Sequence, residues 1–336
     1  MTQDTDAPPS WKQRPEGGGR FAIWLIRGIA RHGGRRIARL LLGPITLYFL
    51  MVRGPERRAS IAYLERVLGR PARLADGARH IHTFASTILD RVFLLSGRLK
   101  LFRFTITGLD DVHGQLDKGR GVLLFGSHLG SFEVMRVLAR HRPDYVIRVV
   151  MDIRHNAAMT QLLDALDPAI AANVIDAGQD GPSLMLAIQQ AVSAGHLVAL
   201  LVDRVQAGDT AERVPFFGHD AAFPRAPWLI ASVLRVPVVL AFGLYRGGNR
   251  YDLAFESFSD GLHIPRAERA QALSALIRRY ATRLEHYARL APYNWFNFYD
   301  FWNDSAAQPV VAQPAAPDGA RAGHAADRRG PALRGA

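Results

Sequence analysis

Short apolar runs alternate with amphipathic helical patterns along the middle of this chain, and this alternation constrains its fold more than any other feature. Residues 121–125 (Gly-Val-Leu-Leu-Phe) and 197–202 (Leu-Val-Ala-Leu-Leu-Val) are two such runs. Continuous apolar runs are typical of strands buried on both faces. We therefore expect an α/β fold with a central, mostly parallel sheet flanked by helices. The predicted strands are 102–107, 121–125, 145–150, 173–176, 197–202, 236–242 and 251–255, and the predicted helices are 56–68, 75–95, 132–140, 156–166, 182–194, 228–234 and 265–290.

The two ends of the chain differ in composition from its middle. Residues 1–19 and 305–336 are rich in small residues, proline or charge and poor in large apolar side chains, so we expect both to be disordered. Residues 20–54 combine many arginines with a long apolar stretch, which indicates a basic, helical, membrane-associating anchor. The α/β alternation falls in residues 55–304, which we predict to form the folded domain.

The anchor has three possible structures. Its apolar stretch at residues 37–52 contains Arg39 and Pro44, and it is shorter than the roughly 20 apolar residues that a membrane-spanning helix needs. An interfacial or re-entrant helix is therefore favoured over a spanning one. A helix of the protein core is the third possibility.

The charge balance limits the class of partner. The formal net charge is +12, which favours anionic lipid headgroups, an acidic protein or nucleic acid. Basic residues interleaved with apolar ones point to lipid, and no zinc-finger, RRM or KH pattern supports nucleic acid. The chain contains no cysteine, which excludes disulfides, cysteine nucleophiles and thiolate metal sites.

His128 and Glu133 occur in the sequence Gly-Ser-His-Leu-Gly-Ser-Phe-Glu at residues 126–133, between a predicted strand and a predicted helix. Imidazole titrates near neutral pH, so His128 has the chemistry of a general base for an alcohol. A carboxylate on its other ring nitrogen would fix the tautomer, and the spacing allows Glu133 to supply it. The same spacing also arises where an acid merely favours a helix start.

A second unusual stretch follows the predicted strand at residues 197–202. Asp203 and Arg204 come directly after it, at the edge of an open α/β sheet where ligands bind. If this strand runs in the same direction as the strand before His128, the two loops share one side of the sheet. A helix cap or a surface ion pair is the alternative. The sequence then continues with Val-Pro-Phe-Phe-Gly, ending at Gly218, and with Phe-Pro at residues 223–224.

These motifs, in this order, resemble the bacterial lipid A biosynthesis acyltransferases, which are the late acyltransferases of the wider lysophospholipid acyltransferase superfamily. The resemblance covers roughly residues 20–303. It implies that residues 55–304 form an acyltransferase domain with a glycerol-phosphate-acyltransferase-like fold. Arg225, which follows the Phe-Pro pair, departs from the glycine that is frequent there in the family, and this departure leaves the acceptor open.

The resemblance implies acyl transfer from an acyl carrier protein thioester to a hydroxyl of a membrane glycolipid. His128 would remove the hydroxyl proton, and Glu133 would orient His128. The oxyanion would be stabilised by backbone N–H groups at Gly130 and Ser131, or by a basic residue. The residues expected to bind substrate are Ser131, Arg154, Asp203, Arg204 and Gly218; no metal is expected, and no cofactor besides the acyl donor.

The implied partners are acyl carrier protein, anionic membrane lipids and a glycolipid acceptor, and the implied location is the cytoplasmic face of the bacterial inner membrane. Another amphiphile, such as an ornithine lipid or a pigment-linked lipid, is an alternative acceptor. A thioesterase or lipid hydrolase with the same residues, or a non-catalytic membrane scaffold, is the alternative function. The chain has no Gly-x-Ser-x-Gly sequence, which argues against a serine lipase.

The aromatic run at residues 295–302 has two interpretations. It is either a strand of the core or an aromatic patch at a membrane interface.

Overall fold

The computed structural model describes residues 34–138, 145–153, 160–161, 163, 171–206, 209–265 and 267–303. The two ends expected to be disordered lie outside these ranges, as do residues 20–33 of the expected anchor. Arg154 and most of the helix predicted at residues 156–166 also lie outside them.

Seven strands in the described residues form one mostly parallel sheet, as the apolar runs predict. Its order is β1-β9-β8-β2-β5-β3-β4. Strands β8, β2, β5, β3 and β4 run in one direction, while β9 and β1 run in the opposite direction. The strands are β1 (Arg103–Thr107), β2 (Val122–Gly126), β3 (Ile147–Met151), β4 (Val174–Asp176), β5 (Leu197–Leu201), β8 (Val238–Tyr245) and β9 (Arg250–Ser259).

The helices begin and end where local sequence signals predict. The helix predicted at 56–68 has proline in its first turn and ends at Gly69, which has a left-handed φ of 64°. In the next helix the Asp76 carboxylate accepts the backbone N–H of Arg73, which caps the first turn. The helices are α1 (Gly34–Leu40), α2 (Leu42–Val52), α3 (Gly54–Leu68), α4 (Leu74–Leu95), α5 (Leu109–Leu116), α6 (Gly181–Ser193), α7 (Ala226–Leu234) and α8 (Arg269–Leu290).

Alternate side chains of the central strands bury into two cores, one on each face of the sheet. In β2, Leu123 and Phe125 join the core that contains α3, α6, α7 and α8. Val122 and Leu124 join the core that contains α1, α2, α4 and α5. Burial on both faces explains why β2 has no polar position, and it keeps the strand ends that carry the site in fixed register.

Helix α5 (Leu109–Leu116) was not among the predicted helices, and two further stretches differ from the sequence-based expectation. Residues 211–224, for which no strand was predicted, form a hairpin of β6 (Ala211–Phe216) and β7 (His219–Pro224) that packs against α8. Burial along its strands does not alternate strictly, so the hairpin has no clear period in the sequence. The helix predicted at residues 132–140 begins as a 3-10 helix, Phe132–Arg136.

The basic apolar segment folds against the domain where it is described. Helices α1 and α2 contact α4, and the guanidinium of Arg35 donates to both carboxylate oxygens of the buried Asp90 at 2.7 and 2.8 Å. Among the described helices, no single one is both long and apolar enough to cross a membrane. One pair, Gly34–Val52 with Gly54–Leu68, bent by 97°, meets the same test of length and composition.

Candidate active site

Strands β2 and β5 bring the two sequence motifs together. They are adjacent and parallel, with Gly126 paired with Leu201. His128 and Asp203 each lie two residues beyond this last pair, so they leave the sheet at the same level. The strand ends at which both residues lie are the carboxyl ends, where ligands bind in open α/β sheets.

A hydrogen-bonded pair forms between His128 and Asp203. The Nδ1 of His128 is 2.8 Å from Oδ1 of Asp203, and the backbone N–H of His128 donates to both carboxylate oxygens at 3.1 Å. Asp203 is fully buried, whereas the His128 side chain is 29% exposed. The carboxylate therefore lies behind the imidazole, and the imidazole faces outward.

The charge state of Asp203 fixes the tautomer of His128. Burial alone would raise the pKa of Asp203, but the His128 ring, the His128 backbone N–H and the Arg204 guanidinium outweigh it and lower that pKa to about 2. An ionised carboxylate only accepts hydrogen bonds, so Nδ1 must be the donor. In neutral His128 the lone pair is then on Nε2, the nitrogen that a general base uses.

Two cations shift the pKa of His128 in the opposite direction to Asp203. Burial, the adjacent Arg204 and, more weakly, Arg91 of α4 lower the pKa of His128, while Asp203 raises it, and the net effect is a pKa below the usual value. A lowered pKa keeps His128 neutral near pH 7. Neutral imidazole is the form that accepts a proton.

Glu133 does not make the contact that its spacing suggested. Its carboxylate accepts the Ser131 hydroxyl at 2.8 Å and lies 2.5 Å from Nε of Arg91. The 3-10 helix that carries Glu133 packs against α4, where Arg91 lies. The structure thus assigns the orienting contact on His128 to Asp203, which corrects the expectation for Glu133.

The backbone N–H groups expected to stabilise an oxyanion are already used. The N–H of Gly130 donates to the carbonyl of Asn294 at 2.8 Å, and the N–H of Ser131 donates to the carbonyl of Gly243 at 2.8 Å. Gly130 has a left-handed φ of 81°, and a Cβ there would come 2.0 Å from the Gly243 oxygen. This turn is therefore built for close contact with β8, and the expectation for these two N–H groups is corrected.

The other expected substrate-binding residues fall in different places. Arg204 is beside Asp203, and its Nε donates to Oδ1 of Asn297 at 2.6 Å while Nη2 donates to the carbonyl of Phe296 at 2.9 Å. Gly218 is exposed in the turn between β6 and β7, where its φ of 77° gives a backbone reason for glycine. Arg154 lies outside the described residues.

The C-terminal segment contributes residues that sequence reasoning missed. The indole Nε1–H of Trp295 donates to Oδ2 of Asp203 at 3.0 Å, and Nδ2 of Asn297 approaches the same oxygen at 3.5 Å. Trp295, Phe296, Phe301 and Trp302 are all buried. The run is thus irregular rather than a core strand, with Phe298 and Tyr299 half-buried, and its aromatic density was the only sequence signal for it.

The described residues contain no group of three His, Asp or Glu side chains that could hold a metal ion. The polar groups around the His128–Asp203 pair are two guanidiniums, which act on His128, and an indole N–H, which binds the ionised Asp203 carboxylate. Such a set can orient a base and attract an anionic or polarised oxygen.

The comparisons with known proteins identify the family. No curated protein matches the chain. The family model of the bacterial lipid A biosynthesis acyltransferases matches residues 94–303, which is more than half of the chain and includes β2, β5 and the C-terminal segment. The chain is therefore an acyltransferase and belongs to the bacterial lipid A biosynthesis acyltransferase family.

Proposed function

We propose that this protein transfers a fatty acyl chain from an acyl carrier protein thioester to a hydroxyl group of a lipid A precursor-like glycolipid. The observation that carries the proposal is the bond from Nδ1 of His128 to the buried Asp203 carboxylate, because it leaves Nε2 as the proton acceptor. A hydroxyl bound beside Nε2 becomes a nucleophile when its proton moves to the ring.

The proposed reaction is a direct transfer. The acceptor oxygen attacks the thioester carbonyl as its proton passes to Nε2 of His128. Asp203 stabilises the imidazolium that forms. Collapse of the tetrahedral intermediate breaks the carbon–sulfur bond, and the proton on His128 passes to the departing thiolate. The reaction needs neither a covalent acyl-enzyme nor a metal.

Two arginines are candidates for stabilising the oxyanion. Arg204 and Arg91 both act electrostatically on His128, so their charge reaches the region where the carbonyl oxygen would become negative. A fixed cation in a partly buried site acts more strongly than one in water. In this proposal Glu133 holds Arg91 in place.

The partners proposed for this enzyme are acidic. A net charge of +12 favours encounter with an acidic carrier protein and with anionic headgroups.

Exposed apolar side chains on α1 and α2 support contact with the acyl region of a bilayer. They include Leu40, Leu47 and Met51, which are 75%, 57% and 71% exposed. We propose the cytoplasmic face of the bacterial inner membrane as the location, where carrier protein and glycolipid meet.

The test uses acyl carrier protein charged with a radiolabelled acyl chain and presented with a purified glycolipid acceptor. The proposal predicts labelled lipid product from the wild-type protein and at least 1,000-fold less from His128→Ala. Labelled free fatty acid as the main product would show a thioesterase instead. Product formed only with an ornithine lipid or a pigment-linked lipid would change the acceptor and keep the reaction.

A further inference from the structure

The C-terminal segment Asn294–Asn297 is bonded directly to the loop that carries His128. The carbonyl of Asn294 accepts the N–H of Gly130 at 2.8 Å, and the N–H of Phe296 donates to the carbonyl of His128 at 2.9 Å. Leu129 and Trp295 form an antiparallel bridge between these two bonds. The segment therefore fixes the backbone directly after His128.

Trp295 also reaches the carboxylate that holds His128. Nδ1 of His128 is 2.8 Å from Oδ1 of Asp203. The indole N–H of Trp295 makes the shortest contact with Oδ2, at 3.0 Å, beside the His128 backbone N–H at 3.1 Å and Nδ2 of Asn297 at 3.5 Å. Trp295 is fully buried. With a donor on each oxygen, the carboxylate cannot rotate about its own axis without breaking a charge-assisted bond.

We propose that Trp295 is the positioning residue of this active site, and that its indole N–H holds the Asp203 carboxylate in its bond with His128. This inference rests on the proposed function, in which His128 is the base. It adds a third member to the His128–Asp203 pair, contributed from the far end of the domain.

The N–H of Trp295 is separable from the packing of its ring. The ring contacts Tyr63, Phe216 and Phe301 at centroid distances of 5.0, 5.2 and 4.7 Å. A phenyl ring keeps part of this apolar packing. The ring contacts do not require a hydrogen-bond donor aimed at Asp203, so the donor needs an explanation of its own.

A buried relay holds the backbone of Trp295. The carbonyl of Trp295 accepts Nε2–H of His80 at 2.9 Å, and the Ser60 hydroxyl occupies Nδ1 of His80 at 2.7 Å. Both His80 and Ser60 are fully buried. Helices α3 and α4 thereby set the position of the indole.

Several charged or titratable groups surround the pair and share control of its protonation. Arg204 follows Asp203, and Arg91 faces His128 from α4, paired with Glu133. Tyr280 of α8 interacts with Asp203 electrostatically, and its hydroxyl donates to the carbonyl of Gly126 at 3.1 Å. None of these four groups is replaced in Trp295→Phe, and Trp302→Phe controls for the loss of ring volume, so a shift in His128 titration reports on the indole bond.

The direction of that shift follows from the charge on Asp203. An N–H donor draws electron density from the carboxylate, which weakens its hold on a protonated imidazole. Removing the donor makes the carboxylate a stronger acceptor, so His128 binds its proton more tightly. The acidic limb of the activity profile should then move to higher pH, while loss of the second anchor lowers kcat.

The experiment compares Trp295→Phe with Trp302→Phe. Trp302 is a matched control because it belongs to the same aromatic run at residues 295–302, is also buried, and donates its indole N–H to the carbonyl of Phe216 at 3.1 Å rather than to Asp203. W295F should raise the midpoint of the acidic limb of kcat/KM by about half to one pH unit. It should also lower kcat on the order of tenfold and leave the donor KM within about twofold. W302F should leave the limb in place.

An acidic limb in W295F that coincides with that of the wild type overturns the inference. Full activity in His128→Ala would instead overturn the proposed function, so the two failures are distinguishable.

A second measurement uses the wild-type protein alone. The indole N–H resonance of Trp295 should shift with pH at the same midpoint as His128, and a flat titration curve overturns the inference even if W295F does not fold.

Discussion

His128 and Asp203 lie at equivalent positions on two adjacent parallel strands, each two residues beyond the paired Gly126 and Leu201, and the imidazole Nδ1 is 2.8 Å from the carboxylate Oδ1. The carboxylate that contacts His128 thus comes from a neighbouring strand, 75 residues later in the chain. Glu133, five residues after His128, belongs to a second pair with Arg91.

The acidic limb of the activity profile should have its midpoint below pH 6.5, the ordinary pKa of histidine. Burial, Arg204 and Arg91 lower the pKa of His128, and only its neutral form accepts a proton, so activity persists to lower pH and is lost as the pH falls through that pKa. Arg91→Gln removes a cation and should raise the midpoint. The pH dependence of kcat/KM checks both statements; a midpoint above 6.5 in the wild type contradicts them.

Glu133 should act through Arg91 rather than through His128. The Glu133 carboxylate is 2.5 Å from Nε of Arg91, so the effects of Glu133→Gln and Arg91→Gln on kcat/KM should not add. We expect a coupling free energy of about 0.5–3 kcal/mol in the double-mutant cycle. Arg120 provides the control, since it precedes β2 at the opposite end of the sheet. The effects of Glu133→Gln and Arg120→Gln on kcat/KM should add. If the effects of Glu133→Gln and Arg91→Gln add in the same way, the Glu133–Arg91 pair has no functional coupling.

Two glycines with left-handed backbones should respond differently to alanine. A Cβ at Gly130 would come 2.0 Å from the Gly243 oxygen, whereas one at Gly218 meets nothing within 4 Å. Gly130→Ala must displace the loop of His128, and we expect about a 100-fold loss of kcat/KM. Gly218→Ala should cost about 1–2 kcal/mol in the free energy of unfolding and leave activity nearly unchanged. A comparable loss of activity in both variants would return Gly218 to a substrate-binding role.

His80 should make the protein less stable in acid. Burial lowers its pKa to about 4, against about 6.5 in an unfolded chain. Between these values the unfolded chain binds a proton that the folded protein does not, so the free energy of unfolding falls as the pH drops from 6.5 to 4. The expected loss is about 3 kcal/mol, with no further loss from this group below pH 4. Urea unfolding of the wild type and of His80→Gln at several pH values isolates the contribution of His80. An identical pH dependence of the free energy of unfolding in both proteins would refute the prediction.

The apolar surface of α2 should govern binding to lipid vesicles. Leu47 and Met51 are 57% and 71% exposed, one turn apart on the same helix face. Replacing both with glutamine should weaken cosedimentation with vesicles that contain anionic phospholipid by about tenfold or more. Val233→Gln on α7 is the control because Val233 is 65% exposed on another helix. Unchanged cosedimentation of the double variant would exclude this surface as the membrane contact.

The sheet could be predicted because its strands are buried on both faces and therefore appear as continuous apolar runs. From a parallel sheet one could predict that His128 and Asp203 lie at the same edge of the sheet, but no more than that. Their direct pairing could not be predicted, because β3 and β4 separate β2 from β5 in the sequence although β2 and β5 are neighbours in the sheet. The hairpin was missed because burial along its strands does not alternate strictly. Trp295 was missed because an irregular segment has no period to detect.

The acyl-transfer rate of Asp203→Asn is the decisive measurement of the role proposed for the His128–Asp203 pair, provided that the circular dichroism and Tm of the variant show a folded protein. Asparagine keeps the size of the side chain but removes the charge that orients and stabilises the His128 imidazolium. The account predicts a fall in kcat of about 1,000-fold to 10,000-fold, comparable to that of His128→Ala. A folded Asp203→Asn protein that transfers the acyl chain at the wild-type rate would contradict it.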